Sequence, residues 1–201
     1  MGRKKPIKAG LQAAEAKKEV RAELLMRRSA LSKEWALQAS AGICARLKTH
    51  PWFCQAEAVY FYYPLGREVS LLPLAGHALA SGKQAAFPKA SGEGMAFFGV
   101  ASLEGFQEGS FHVMEPVGGR MMQEESPLVL APGVGFDLQG TRMGYGKGYY
   151  DRYFAKYPRC RKIGIAYEAQ LVGRLPKDAF DVPMDGIMTE KAFYPCGQWA
   201  R

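Results

Sequence analysis

The sequence predicts an α/β protein built on a largely parallel or mixed sheet, and three observations lead there. Short apolar runs rich in β-branched and aromatic residues alternate along the chain with helix-favouring stretches. One of these runs, Pro127 to Ala131 (PLVLA), passes through a breaker-rich loop (Pro132, Gly133, Gly135, Gly140) toward a tyrosine-rich helical segment, the order of a βα unit. Finally, 201 residues at 48% hydrophobic can bury one substantial core, which favours a single domain or at most two small ones.

The elements follow in order. Glu15 to Arg28 is charged and helix-favouring, with Val20, Leu24 and Leu31 near one stripe. Ser32 can cap a second helix whose face carries Leu37, Cys44 and Leu47 before Pro51 stops it, making a helical hairpin. Ala58 to Tyr63 reads as a strand, Ser70 as the cap of a helix from Leu71 to Ala80 closed by Gly82, and Gln84 to Phe87 as the next strand, completing a βαβ unit. Met95 to Val100 and Phe111 to Met114 add short strands, and Leu128 to Ala131 adds a buried one. Tyr149 to Tyr157 forms a helix ended by Pro158, and strands at Lys162 to Tyr167 and Gly186 to Met188 finish the sheet. There is no internal repeat and no low-complexity tract.

The segment Arg142 to Arg152, RMGYGKGYYDR, concentrates the chemistry. Gly144, Gly146 and Gly148 stand at every second position between an arginine, a lysine and an aspartate. Glycine lets backbone N–H groups converge on an anion, Arg142 and Lys147 supply positive charge, and Asp151 offers a hard oxygen. The duller reading is a glycine-rich surface loop before a helix; the flanking charges favour a phosphate site. It is neither a Walker A loop, which ends in Lys-Ser or Lys-Thr, nor a dinucleotide fingerprint, whose glycines fall at the first, third and sixth positions. Strand, glycine loop and helix together present a helix N-terminus to an anion.

Composition excludes several classes. No apolar run approaches a membrane span, and the opening MGRKKPIKAGLQ has positive charge without the apolar stretch of a secretory signal. Pro6 stands where a myristoylation motif needs serine or threonine, so a cytoplasmic protein is expected. Residues 1–36 hold ten lysines and arginines against four acids, most of the net charge of +8. No aromatic precedes Trp35, so this basic segment lacks base-stacking groups and nucleic acid is disfavoured as a partner. The cysteines, at 44, 54, 160 and 196, form no CxxC pair, which argues against zinc, and reduced thiols are expected.

The run LAPGVGFDLQGTRMGYGKGYYDRYF resembles the signature of the 5-formyltetrahydrofolate cyclo-ligases, or 5,10-methenyltetrahydrofolate synthetases: Pro-Gly, Phe-Asp, Gly, then Arg-Leu-Gly-x-Gly-x-Gly-x-Tyr-Asp. Met143 replaces the usual leucine, and Tyr145 fills a variable position that is arginine in some members. The likeness runs from about Lys17 to Glu190 and includes KKEVR (Lys17 to Arg21), YYPLGREV (Tyr62 to Val69) and HVMEP (His112 to Pro116). It implies a Rossmann-like three-layer sandwich related to sugar-phosphate isomerase and CoA-transferase folds. Residues 17–201 then make one catalytic domain behind a basic extension, 1–16, whose order the sequence leaves open.

The activity implied is ATP-dependent conversion of 5-formyltetrahydrofolate to 5,10-methenyltetrahydrofolate through a phosphorylated imidate, with ATP as co-substrate, Mg²⁺ as cofactor and a monomer as the expected state. Arg142 and Lys147 take the catalytic roles. Lys17 and Arg21 reach nucleotide phosphates together with Arg142, Met143, Gly144 and Tyr145, and the ATP site continues through Gly146, Lys147, Gly148, Tyr149 and Tyr150. Tyr63 and Glu68 bind folate with the loop residues Tyr145 to Tyr149, and Asp151 and Asp185 bind magnesium. Each position also has a plain reading: Lys17 and Arg21 as solvated helix surface, Glu68 as a loop or capping carboxylate, Tyr63 as core, Asp151 as a helix start and Asp185 as a turn. Asp137 reads as structural first, and Glu115 stays unassigned. An isomerase or acyl-CoA transferase of similar fold, or a nonenzymatic RNA-binding relative, remains as the alternative.

Overall fold

The computed structural model describes residues 6–92 and 94–200; residues 1–5, the start of the expected extension, lie outside them. The chain opens with α1, Pro6–Ser29, and α2, Lys33–Thr49. α1 begins nine residues ahead of Glu15, with proline at its first position, where a missing N–H costs nothing. Ser32 caps α2 as expected, its hydroxyl accepting from Trp35 N–H at 3.1 Å. Cys44 and Leu47 join the buried face of α2, but Leu37 is 71% exposed. The buried row is Ala36, Ser40, Ile43 and Leu47, and Leu37 lies about 100° around the helix from Ala36.

A short α3, Pro51–Gln55, leads into β1, Ala58–Tyr60. In α4, Leu72–Ala80, Leu71 holds the cap position and makes no side-chain hydrogen bond there. Ser70, the expected cap, is turned to α2 instead: its N–H donates to Ser40 Oγ at 3.1 Å and its carbonyl accepts from Cys44 Sγ. β2, Gln84–Ser91, and β3, Gly94–Val100, form a long hairpin, followed by a small one of β4, Phe106–Glu108, and β5, Met114–Pro116. The strand expected from Phe111 is a 3-10 turn at Ser110–His112. Phe111 and His112 both take positive φ, 59° and 57°, which extended backbone cannot accommodate.

Then come β6, Leu128–Pro132, β7, Gly135–Asp137, β8, Arg142–Met143, and α5, Tyr149–Lys156. β9, Arg161–Ile165, β10, Leu171–Val172, β11, Gly186–Met188, and β12, Phe193–Pro195, complete the chain's strands.

The main sheet runs β12-β11-β9-β6-β1-β2-β3. Its five inner strands are parallel, and β3 and β12 close the two edges antiparallel. Side chains alternate between two buried faces. Val59, Leu128, Leu130 and Ile163 meet α2 and α4, whereas Tyr60, Val129, Ala131 and Ile187 meet Tyr153 and Phe154 of α5. Burial on both sides, at roughly 1.5–3 kcal/mol per large aliphatic side chain, is why these strands read as continuous apolar runs. The architecture is a Rossmann-like three-layer sandwich. Among the described residues no helix is long and apolar enough to cross a membrane.

In chain order the parallel strands lie 2-1-3-4-5 across the sheet, so the connections diverge between β1 and β6. At such a switch point the loops leaving the two strands part and open a crevice at their carboxyl ends. β7, β8 and β10 form a separate small sheet over this end, packed on α1 through Leu24, Val134, Met143 and Leu175. Gly135 permits that approach, since a Cβ there would stand 2.4 Å from Leu24 Cδ1.

Candidate active site

A cleft of about 580 Å³ occupies the switch point. Four segments line it: the exit of β1 with Tyr63 and Glu68, the glycine loop before α5, the α1 face with Lys17 and Arg21, and the loop after β10 with Asp178 and Asp181. The small hairpin contributes Phe111 and Glu115 from the side.

The glycine loop starts from a fixed base. Arg142, on β8, is 7% exposed; Nη2 donates to Asp151 Oδ2 at 2.8 Å, and the guanidinium lies 5.2 Å from the Tyr150 ring centre. Its Nε and the Tyr150 hydroxyl are both buried without a hydrogen-bond partner, polar capacity held beside the cleft. Met143 packs into the α1 cluster, where an unbranched apolar chain substitutes readily for leucine. Gly146 adopts φ 97°, a conformation other residues avoid. Lys147 Nζ rests 5.1 Å from the Phe111 ring centre, an exchangeable contact for a charge facing the cleft. Gly148 caps α5 without a side-chain acceptor, so the helix's first N–H groups keep their capacity for an anion. Tyr149 ties the loop to the β2–β3 turn through its hydroxyl, 3.2 Å from Gly92 O.

From the other wall, α1 delivers cations. Lys17 Nζ pairs with Asp178 at 2.6 Å and Asp181 at 2.8 Å. Partial burial pulls the Lys17 pKa down, but the two carboxylates outweigh it and leave it above the ordinary lysine value. Arg21 Nε donates to Gly144 O at 2.9 Å, docking the helix on the loop. One α-helical turn beyond Leu24, Arg28 is 6% exposed and reaches Tyr145 OH at 2.6 Å and Glu68 Oε1 at 3.4 Å.

Glu68 closes the opposite end. Its Oε2 accepts from Leu65 N–H at 2.9 Å and its Oε1 from Tyr145 OH at 2.8 Å. Burial pushes the carboxyl above the usual carboxylate range, against the opposing pull of Leu65 N–H, Arg28 and Tyr145. Burial and the Glu68 charge likewise push the Tyr145 hydroxyl up to about 12. Tyr63 stands at the cleft wall with its ring 5.2 Å from Phe106.

The structure therefore gathers Lys17, Arg21, Tyr63, Glu68 and the whole run from Arg142 to Asp151 around one space. It does not bring Asp185 there. Asp185 immediately precedes β11, at the amino end of a parallel strand, whereas the cleft lies at the carboxyl ends. Its carboxylate accepts from Lys162 N–H at 2.7 Å and pairs with Lys162 Nζ at 3.0 Å. Asp178 and Asp181 do line the cleft with Asp151, and Asp181 lies on the adjoining segment: Val182 N–H approaches Asp151 Oδ1 at 3.4 Å. Asp137 is structural, accepting from Gln139, Thr141 and Leu175 N–H, and Glu115 holds Ala90 N–H.

Arg28 and Asp181 were missed from sequence. Arg28 was detectable as the continuation of the Lys17–Arg21 stripe, since seven residues return almost to the same helix face. Asp181 carried no signal beyond its spacing from Asp178.

Comparison with known proteins identifies the family and the fold. The family model described as the 5-formyltetrahydrofolate cyclo-ligase family matches residues 13–190. The NMR structure of Aquifex aeolicus 5,10-methenyltetrahydrofolate synthetase superposes with a TM-score of 0.80 at 38% identity, covering 89% of this chain and 92% of that one. The Mycoplasma pneumoniae synthetase structure gives 0.70 at 25% identity, over 87% and 98% of the two chains. A probable 5-formyltetrahydrofolate cyclo-ligase of Caenorhabditis elegans is 27% identical over 192 residues, 88% of this chain and 93% of the relative. With the sequence match spanning both walls of the cleft and the fold shared nearly end to end, the chain belongs to the 5-formyltetrahydrofolate cyclo-ligase family of enzymes.

Proposed function

We propose that the protein converts 5-formyltetrahydrofolate to 5,10-methenyltetrahydrofolate at the expense of ATP, releasing ADP and phosphate. The observation that carries this is the union, in one cleft, of a cationic glycine loop with a buried carboxylate able to accept paired hydrogen bonds. Glu68 suits the amino and ring N–H donors of a pterin. Arg142, Lys147 and the first N–H groups of α5 suit a transferring phosphoryl group, with Lys17 and Arg21 on the remaining phosphates.

A formyl oxygen is a poor leaving group, which is the reason for ATP. The formyl oxygen attacks the γ-phosphorus, the bond from that phosphorus to its bridging oxygen breaks, and ADP leaves. The neighbouring folate nitrogen then adds to the activated carbon and loses its proton, and the carbon–oxygen bond breaks to release phosphate. No protein nucleophile is needed. The chain's residues hold the two substrates in line and compensate charge. Asp151 and Asp181, on adjoining segments and now paired with Arg142 and Lys17, would offer hard anionic oxygens to a Mg²⁺ ion by exchanging those partners, and that ion would supply charge neutralisation for the phosphates. A single catalytic domain at 17–201, acting as a monomer in the cytoplasm, belongs to the same reading.

The test is optical. Methenyltetrahydrofolate has a near-ultraviolet band that its formyl precursor lacks, and it should grow only when protein and ATP are both present. No growth with ATP would sink the proposal.

A further inference from the structure

We infer that Tyr145 couples the two substrates: its hydroxyl and the pterin compete for Glu68, and folate binding thereby frees the glycine loop to close on the nucleotide phosphates. This rests on the folate reading of Glu68.

The hydrogen bonds at Glu68 set up the competition. Leu65 N–H comes from the carboxylate's own turn, and Arg28 is buried beside it, so neither leaves easily. The Tyr145 hydroxyl is the partner delivered from the cleft wall, on a residue that is itself 44% exposed. A pterin offering two parallel donors needs the position on Oε1 that this hydroxyl holds. The Arg28 contact to Oε1, 3.4 Å, is long for a charged pair and leaves room for Arg28 to close on Glu68 once Tyr145 departs.

The competition is linked to the phosphate end through the backbone. Tyr145 lies between Gly144, whose carbonyl Arg21 holds at 2.9 Å, and Gly146, whose φ of 97° is open to glycine alone. Lys147 follows two residues later. Whichever partner Tyr145 takes therefore sets where Lys147 and the loop N–H groups stand. The hydroxyl sits between a guanidinium at 2.6 Å and a carboxylate at 2.8 Å, a discrete arrangement that is either made or broken, as coupling requires.

Titration calorimetry with 5-formyltetrahydrofolate, alone and with a nonhydrolysable ATP analogue, tests this in wild type, Tyr145→Phe and Glu68→Gln. Tyr145→Phe keeps the ring and removes the competitor. It should bind folate alone roughly threefold to tenfold more tightly than wild type, the worth of one hydrogen bond. The amount by which folate tightens analogue binding should shrink by the same factor, since coupling is reciprocal. Unchanged or weaker folate binding in Tyr145→Phe, with unchanged coupling, overturns the inference. If that occurs while Glu68→Gln loses folate affinity, the folate reading stands and only the coupling fails. If Glu68→Gln binds folate like wild type, the folate reading itself fails.

Discussion

Arg28, buried behind the cleft, and Lys147, which lines it, show how differently two cations can be tested. Arg28 is buried against Glu68, where its charge favours the ionised carboxylate against the effect of burial. Glu68 already titrates above its ordinary value of 4.5, chiefly through burial, with Arg28 pulling the other way. Arg28→Met removes that pull, and the Glu68 pKa rises further. If Glu68 binds the pterin as proposed, a protonated carboxyl turns a donor toward the pterin's donors, and folate affinity should fall as pH drops through this pKa. The acid limb of affinity should therefore begin at higher pH in Arg28→Met than in wild type, read by calorimetry from about pH 8 down to about pH 5. Coincident limbs would show that Arg28 does not act on Glu68. Lys147 instead lies over the Phe111 ring, with its Nζ 5.1 Å from the ring centre. Lys147→Met should lower turnover by roughly two to three orders of magnitude, as when a transition-state charge partner is lost, with the urea midpoint unchanged. Wild-type turnover in that variant would remove its catalytic role. Arg142 is a poorer probe, because deleting it strands Asp151 and costs about 3–5 kcal/mol of stability.

At the scale of elements, the loop from β10 to β11 separates what the sequence could and could not announce. It runs from the cleft to the far end of the sheet, so aspartates a few residues apart have unrelated surroundings. Asp181→Asn and Asp151→Asn should each shift the Mg²⁺ concentration giving half-maximal rate upward at saturating ATP, because an amide keeps shape and loses charge. Asp185→Asn should leave that midpoint in place and lower the unfolding temperature by unpairing Lys162. The reverse pattern would return the metal role to Asp185. The turn-forming PMDG context of Asp185 is local information, whereas which end of a parallel strand it occupies is topological. The same limit applies to Ser70 and Phe111. A serine before a helix can find a better partner on another helix, and a short apolar run next to glycine can curl into a 3-10 turn. Motif-borne positions were legible because glycine spacing and charge act locally.

Over the whole molecule, the parallel core was legible and its additions were not. Strands buried on both faces, such as Leu128 to Ala131, leave a continuous apolar record, and α5 was bounded by a glycine and a proline. The small sheet of β7, β8 and β10 and the edge strand β12 are two or three residues each, too short for any periodicity. The sandwich was foreseen, and so was the gathering of the glycine loop, Lys17, Arg21 and Glu68 around one cleft. The element joining the two ends of this cleft is α1. Lys17, Arg21 and Arg28 share one stripe of it, and eleven residues of helix advance about 16 Å. The helix is thus a gauge bar: the count of residues between Lys17 and Arg28 sets how far the Asp178–Asp181 end stands from Glu68. A single residue gained or lost between those two positions would turn one of the two cations about 100° around the helix, away from Asp178 and Asp181 or from Glu68.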